Sequence, residues 1–313
     1  MRKVTFVLIV FVLNLSLIGI ALSQDEEQYV ISIPMLTGME ATSMTGLMEQ
    51  LVVTLGEKAD LNLSSKTLVY DHGESLIDHV KDEFTSGKSH ISFVTGIEYA
   101  QNLIDGKKDL VPIVTMAING SDIQKACFYT RTGEYKSVKE LKGKIWGGAN
   151  ALPTRVVMYA AGVDEPVESF FSKLIYKTDS PSNELVSMLE NKQIDVFATY
   201  ESVISVAGYL NKKDVFFEPL FCSTIDYTWV FVATPDMPAE SISKLKEVML
   251  GAHKDPYFKQ FHFMFKMLKG RFKNIDEDSF KEVYDLVLLM GENGWYDEEK
   301  AFHKKYGPFK SGK

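Results

Sequence analysis

From Tyr29 the apolar positions follow two periods in turn. YVISIPM at 29–35, TLVYD at 67–71 and HISFVTG at 90–96 are short β-rich runs, and between them Ser43–Lys58 and Glu74–Ser86 repeat apolar residues at helical spacing. The order predicted is βαβαβ. Such alternation implies a parallel sheet flanked by helices, with any ligand beyond the carboxyl ends of the strands.

A second series opens at Ala126-Cys127-Phe128-Tyr129-Thr130 and continues through helices near Glu165–Ser172 and Asn183–Glu190. Two lobes are therefore expected. They also echo one another: GKSHISFVTG at 87–96 aligns with NKQIDVFATY at 191–200, sharing Lys, Phe and Thr in register. The alignment gives Thr95 and Thr199 equivalent strand-end places, each facing the space between the lobes. Strands follow at Val215–Cys222 and Thr228–Thr234, and then helices at Ala239–His253, Pro256–Lys269, Glu277–Met290 and Asp297–Lys305. The aromatic stripe of Phe258, Phe261, Phe263 and Phe265 with Met267 reads as core packing.

One stretch carries more local information than any other, SVKELKGKIWGGANALPTRVVMYAAG at 137–162. Ser137 and Glu140 have capping-box spacing, and Gly143 stands where a helix needs a left-handed stop. Lys144–Trp146 reads as a brief strand, Gly147-Gly148 as a sharp turn, and Asn150 as the cap of the next helix. A helix N-terminus aimed off a strand end offers free amides and the positive end of a dipole, which suits phosphate or carboxylate.

Residues 1–23 read as a leader: Arg2 and Lys3, an apolar run from Val4 to Ile20, then Ala21-Leu22-Ser23 as a small-residue cleavage site. Cleavage gives a soluble exported protein; retention would make the same run an anchor. The 34 basic and 42 acidic residues give a net charge of −8, or −10 without Arg2 and Lys3, which argues against a nucleic-acid partner. Cys127 and Cys222, the two cysteines, either pair in an oxidising compartment or remain buried thiols. The six histidines are scattered without metal-ligand spacing, and no nucleophile elbow, P-loop or dinucleotide fingerprint is present. Neither catalysis nor a metal or other cofactor is expected.

Four blocks taken in order, GKSHISFVTGIEYA, the stretch at 137–162, NELVSMLENKQIDVFATYESV and DYTWVFVATPDMPAESISKLKEVMLGAHKDP, resemble the periplasmic substrate-binding proteins of ABC transporters. The similarity is to the phosphate/phosphite/phosphonate-binding branch of the type II fold. It implies a bilobed α/β clamshell of two Rossmann-like lobes joined by a two-strand hinge. Lobe 1 would hold residues 24–118 and 229–313, lobe 2 residues 119–228, with crossings near Val111–Ile123 and Phe221–Thr234. It further implies a periplasmic, monomeric protein that closes on a small anionic ligand and presents it to an ABC permease or, in a sensing role, to the periplasmic domain of a sensor kinase.

Candidate ligand residues follow from that placement: Thr95, Gly96 and the family's cleft tyrosine, Tyr99, in lobe 1, and Asn150, Thr154, Arg155, Ser180, Asn183, Thr199 and Tyr200 in lobe 2. Phosphonate binders open the helix after the Gly-rich turn with a hydroxyl-rich run, whereas this chain has Ala149-Asn150-Ala151-Leu152-Pro153-Thr154-Arg155. Pro153 removes a backbone donor there. An Arg155 guanidinium holding a carboxylate at two points would suit a small organic acid at least as well as a phosphonate.

Overall fold

The computed structural model describes residues 27–36, 43–71, 74–148, 150–177, 181–201, 204, 218–275 and 277–306. The first sheet is built from β1 (Gln28–Leu36), β2 (Asn62–Tyr70), β3 (Ile91–Val94) and β4 (Val111–Ala117). Helices α1 (Ser43–Ala59), α2 (Leu76–Thr85) and α3 (Gly96–Ile104) connect them. β1 pairs in parallel with β2 along its length and with β3 at Ile31↔Ile91. The alternation in β1 sends Tyr29, Ile31 and Ile33 into a core with Leu51, Val52 and Leu55 of α1. Gly56 lets α1 approach the turn into β2 and Leu63, because a Cβ there would stand 2.8 Å from the Leu61 carbonyl oxygen.

The chain then crosses into a second sheet made of β5 (Ile123–Thr130), β6 (Ile145–Gly148), β7 (Lys173–Tyr176), β8 (Val196–Tyr200) and β9 (Pro219–Tyr227). Its helices are α4 (Ala151–Ala160), the single turn α5 (Val167–Phe170) and α6 (Pro181–Glu190). The return strand β10 (Val230–Ala233) lies antiparallel between β3 and β4. After it come α7 (Ala239–Gly251), a 3₁₀ turn, α8 (His262–Met267), β11 (Arg271–Lys273), α9 (Glu277–Glu292) and α10 (Trp295–Tyr306).

Strand order is β11-β4-β10-β3-β1-β2 in one sheet and β7-β6-β8-β5-β9 in the other. With the edge strand β11 set aside, the two are the same arrangement. β1 matches β6, β3 matches β8, and β10 and β5 are the antiparallel insertions. The sequence echo between 87–96 and 191–200 is thus the pair of equivalent central strands, β3 and β8.

Two crossing segments join the sheets and are fastened to each other. The hydroxyls of Thr115 and Thr228, both buried, lie 2.8 Å apart, and the Thr228 amide donates to the Asp122 carbonyl at 2.8 Å. Lys273 of β11 closes an ion pair with Asp122 at 2.8 Å.

The final helices contribute to both cores. One stripe of α9, Phe280, Val283 and Val287, enters the core of the first sheet, while Met290 enters the core of the second. Helix α10 packs against α4 and α9 and joins the second core, burying Trp295 and Phe302 among Trp146, Val157 and Phe171. Its aromatics recur at i and i+7, one helical face, and the second sheet supplies the matching aromatic surface. Phe258, Phe261, Phe265 and Met267 are buried as the stripe predicted, whereas Phe263 is exposed. Cys127 and Cys222 stand opposite each other on β5 and β9 and form a disulfide.

Candidate functional site

In each sheet the connections leave the central strand in opposite directions, between β1 and β3 and between β6 and β8. Ligands of open α/β sheets sit outside the carboxyl ends at such switch points. The described residues nearest them are Leu36, Val94 and Thr95 in the first sheet, and Gly148, Asn150, Thr199 and Tyr200 in the second.

Thr95 caps α3. Its hydroxyl accepts from the Glu98 amide at 3.3 Å and donates to Glu98 Oε2 at 2.9 Å, while the Thr95 amide donates to the same carboxylate at 3.3 Å. Glu98 also takes the Ile77 amide at 3.2 Å, in the first turn of α2. One carboxylate therefore serves two helix N-termini. Burial pushes its carboxyl above the ordinary range, and the bonds from Thr95, Ile77 and Leu76 oppose that rise. Burial and the Glu98 charge together lift neighbouring Tyr70 to about 12.

Gly96 is buried in the first turn of α3. Tyr99, expected as a cleft tyrosine, is only 4 % exposed and packs edge-on against Phe280 of α9 at 5.5 Å. The helical spacing that put a tyrosine after the strand also turned it away from the strand end.

The second lobe differs more. Ser137 caps a 3₁₀ turn (Val138–Leu141) without a side-chain cap bond, though its hydroxyl reaches Glu140 at 3.2 Å and the Glu140 carboxylate takes the Lys136 amide. Gly143 has the expected left-handed φ of 75°. Gly147 and Gly148 lie within β6 and do not form the sharp turn expected of them. They are small because of what covers them: a Cβ at Gly147 would stand 2.9 Å from Ile194, and one at Gly148 2.4 Å from the Trp146 ring.

Asn150 precedes α4 in an extended conformation but makes no side-chain cap bond. A carboxylate from the far end of the chain takes that role. The Leu152 amide donates to Glu299 Oε2 of α10 at 2.6 Å. Glu299 in turn meets His303 Nε2 at 2.9 Å, and His303 Nδ1 meets the Tyr176 hydroxyl at 3.3 Å at the end of β7. Burial, reinforced by Glu299, raises Tyr176 to about 12. Glu298 accepts from the Val167 amide at 3.0 Å.

Arg155 is likewise committed inward. Its guanidinium lies 4.9 Å from the Trp295 ring centroid, 2.5 Å from Asp164 and 3.5 Å from Glu298, with the residue 6 % exposed. The two-point clamp predicted for a ligand carboxylate is occupied by the protein's own acids. Thr154 is fully buried, its hydroxyl directed to the Asn150 carbonyl at 3.5 Å. Thr199 pairs with Cys127 inside β8, nearly buried, and Tyr200 ends that strand half-buried against the second core. Ser180 lies outside the described residues, as does the side chain of Asn183, as do residues 1–26 with the expected leader.

The sequence reading overlooked Trp229. It immediately precedes β10, and because Val230 pairs with Val94, Trp229 stands level with Thr95 at the carboxyl end of β3. Its ring packs 5.2 Å from Phe93 and remains 46 % exposed, whereas Trp146 and Trp295 are buried. The available signal was alternation in YTWVFV, which puts Trp229 on the face of Phe231 at the strand's first position.

Elsewhere the protein has open surface cavities and a small apolar void within the first core, among Ile31, Phe93 and Phe231. A surface cavity of about 340 Å³, lined by Glu27, Tyr29, Glu57, Asp60, Asn62 and Ser241, opens at the opposite edge of the first sheet, where β1 and β2 begin. Among the described residues, no acid, histidine or cysteine cluster is arranged to hold a metal, and no helix is long and apolar enough to cross a membrane.

No protein-family model and no curated protein matches the chain. Solved structures do match. PhnD1 from Prochlorococcus marinus, in complex with methylphosphonate, superposes with a TM-score of 0.60 at 15 % identity, over 85 % of this chain and 99 % of that one. A binding-protein component of an ABC phosphonate transporter from Pseudomonas aeruginosa gives 0.60 at 14 % identity, over 90 % and 94 %. The periplasmic aliphatic sulphonate-binding protein SsuA from Escherichia coli gives 0.50 at 12 %, over 87 % and 89 %. The chain has the bilobed α/β fold of these periplasmic binding proteins.

Proposed function

We propose that this protein is an exported solute receptor that takes a small molecule between its two lobes and delivers it to an ABC importer. The observation that carries this reading is the repeated sheet. Two lobes of one strand order place equivalent residues, Thr95 and Thr199, at the ends of equivalent central strands, and the crossing segments between them meet at the Thr115–Thr228 contact. That is the architecture of a clamshell pivoting on two strands.

Thr95, Asn150, Thr199, Tyr200 and Trp229 are the ligand-side groups in this reading, with Ser180 and Asn183 retained from the sequence alone. They are polar, uncharged donors and acceptors around one aromatic plate, suited to orienting a small solute. The activity is binding and domain closure, without turnover. The solved structures carry phosphonate and sulphonate in their names, and a small organic anion is the ligand class to screen first, sulphonates and carboxylates ahead of phosphonates.

A thermal-shift screen of phosphonates, sulphonates, carboxylates, amino acids and neutral polyols tests the reading. A ligand present at a hundred times its Kd stabilises the folded state by about 2.7 kcal/mol. At least one small solute should raise Tm and quench or shift the fluorescence of the exposed Trp229, and the Trp229→Phe variant should lose the optical signal. A solute that raises Tm by the same amount with no tryptophan response would place its site elsewhere.

A further inference from the structure

We propose that Glu299 is a built-in anion that fills the N-terminus of α4 and so determines which charge the cleft accepts, excluding dianions such as phosphate and methylphosphonate in favour of singly charged or neutral solutes. The inference rests on the receptor reading above and deepens it. The helix start after β6 is the position where free amides and a dipole would hold a ligand anion. Here Pro153 supplies no amide, and the Leu152 amide already donates to Glu299 at 2.6 Å.

Glu299 is a placed group. Its second oxygen meets His303, whose other ring nitrogen meets Tyr176, and the carboxylate side chain is 17 % exposed. Phe302 and Trp295 anchor the helix that carries it, both nearly fully buried. Among the described residues, the nearby basic groups already face acids: Arg155 is bound by Asp164, Glu298 and the Trp295 ring, Lys177 pairs with Glu184 at 2.7 Å, and His303 lies on Glu299 itself. The first lobe repeats the device, since Glu98 takes the capping amides of α3 and α2. A dianion at α4 would displace Glu299 from its amide or lie against it in a poorly screened site.

Isothermal titration with inorganic phosphate, methylphosphonate, acetate and glycerol on the full mature chain provides the test. Wild type should bind neither dianion measurably. Glu299→Ala, which frees the amide and removes the charge, should gain at least tenfold in affinity for both dianions, less for acetate and nothing for glycerol. Glu299→Gln, which removes the charge but keeps an acceptor at the amide, should lie between and covers the case where the alanine variant misfolds. Tight phosphate or methylphosphonate binding by wild type, or unchanged dianion affinity in folded Glu299 variants, overturns the proposal. Small-angle scattering on wild type with solutes from the screen separates the two claims. Absence of compaction with every solute sinks the receptor reading, while a dianion gain in the Glu299 variants still upholds the charge filter.

Discussion

Replacing Arg155 with alanine separates a ligand residue from a structural one. The side chain is 8 % exposed, and its three partners differ in worth. Asp164, 64 % exposed, is a surface acid and contributes under about 1 kcal/mol. Glu298 is 26 % exposed at 3.5 Å, so losing its partner costs less than the roughly 3–5 kcal/mol found for fully buried pairs. The Trp295 ring at 4.9 Å adds about 1 kcal/mol. Allowing for overlap among these, Arg155→Ala should lose about 2–3 kcal/mol. Urea denaturation would show this directly, and Tm should fall by roughly 5–10 °C for a lobe of this size. Ligand affinity of the folded variant, measured by titration calorimetry well below its Tm, should be unchanged. Unaltered stability with affinity lost would refute the argument and restore Arg155 as a ligand clamp.

Breaking the Cys127–Cys222 bond, which closes a sequence separation of 95, should cost about 3–4 kcal/mol, seen as a lower urea midpoint for the double serine variant; an equal midpoint would mean that the bond stabilises nothing. Thr115→Val leaves the buried Thr228 hydroxyl without its 2.8 Å partner and should cost about 1–3 kcal/mol, whereas Thr115→Val with Thr228→Val should recover part of that loss; additive losses would show that the two hydroxyls are uncoupled. Because the Glu98 carboxyl is raised in the folded protein, the unfolded chain ionises first. Its contribution is full below the ordinary value of 4.5 and declines as pH rises from there toward the folded value. Wild type should therefore lose stability relative to Glu98→Gln as pH rises above about 4.5, and a difference that grows in wild type's favour would be incompatible with the raised carboxyl.

Period and spacing were enough for β1, β2, β3 and β8 and for α1 and α2, whose alternation is written locally, whereas β4, β7 and helix α3 were not read from the sequence and β9 lies several residues later than expected. The match of 87–96 with 191–200 located the two central strands, since equivalent places in equivalent sheets select the same small set of residues. Pairings across great sequence distance were not legible. Nothing local to Ala149–Arg155 says that Glu299 will reach Leu152 from 147 positions away, or that Trp295 and Glu298 will claim Arg155. Tyr99 shows the same dependence: whether a residue in the first turn of a helix faces the strand end or the core is not written locally, and here Phe280 arrives from α9 to pack against it. Gly147 and Gly148 marked a constrained place, but their backbone is ordinary strand and the constraint is crowding by Trp146, Leu185 and Ile194 rather than a turn. Trp229 was passed over because its exposure depends on where the chain recrosses.

A crystal structure of the protein with the solute that most raises its Tm tests the two-lobed receptor most directly. The solute should lie between the carboxyl ends of β3 and β8, in contact with Thr95 or Trp229 from one lobe and with Asn150, Thr199 or Tyr200 from the other. A solute held by one lobe alone, or seated in the cavity bordered by Tyr29, Asn62 and Ser241 at the opposite edge of the first sheet, would contradict it.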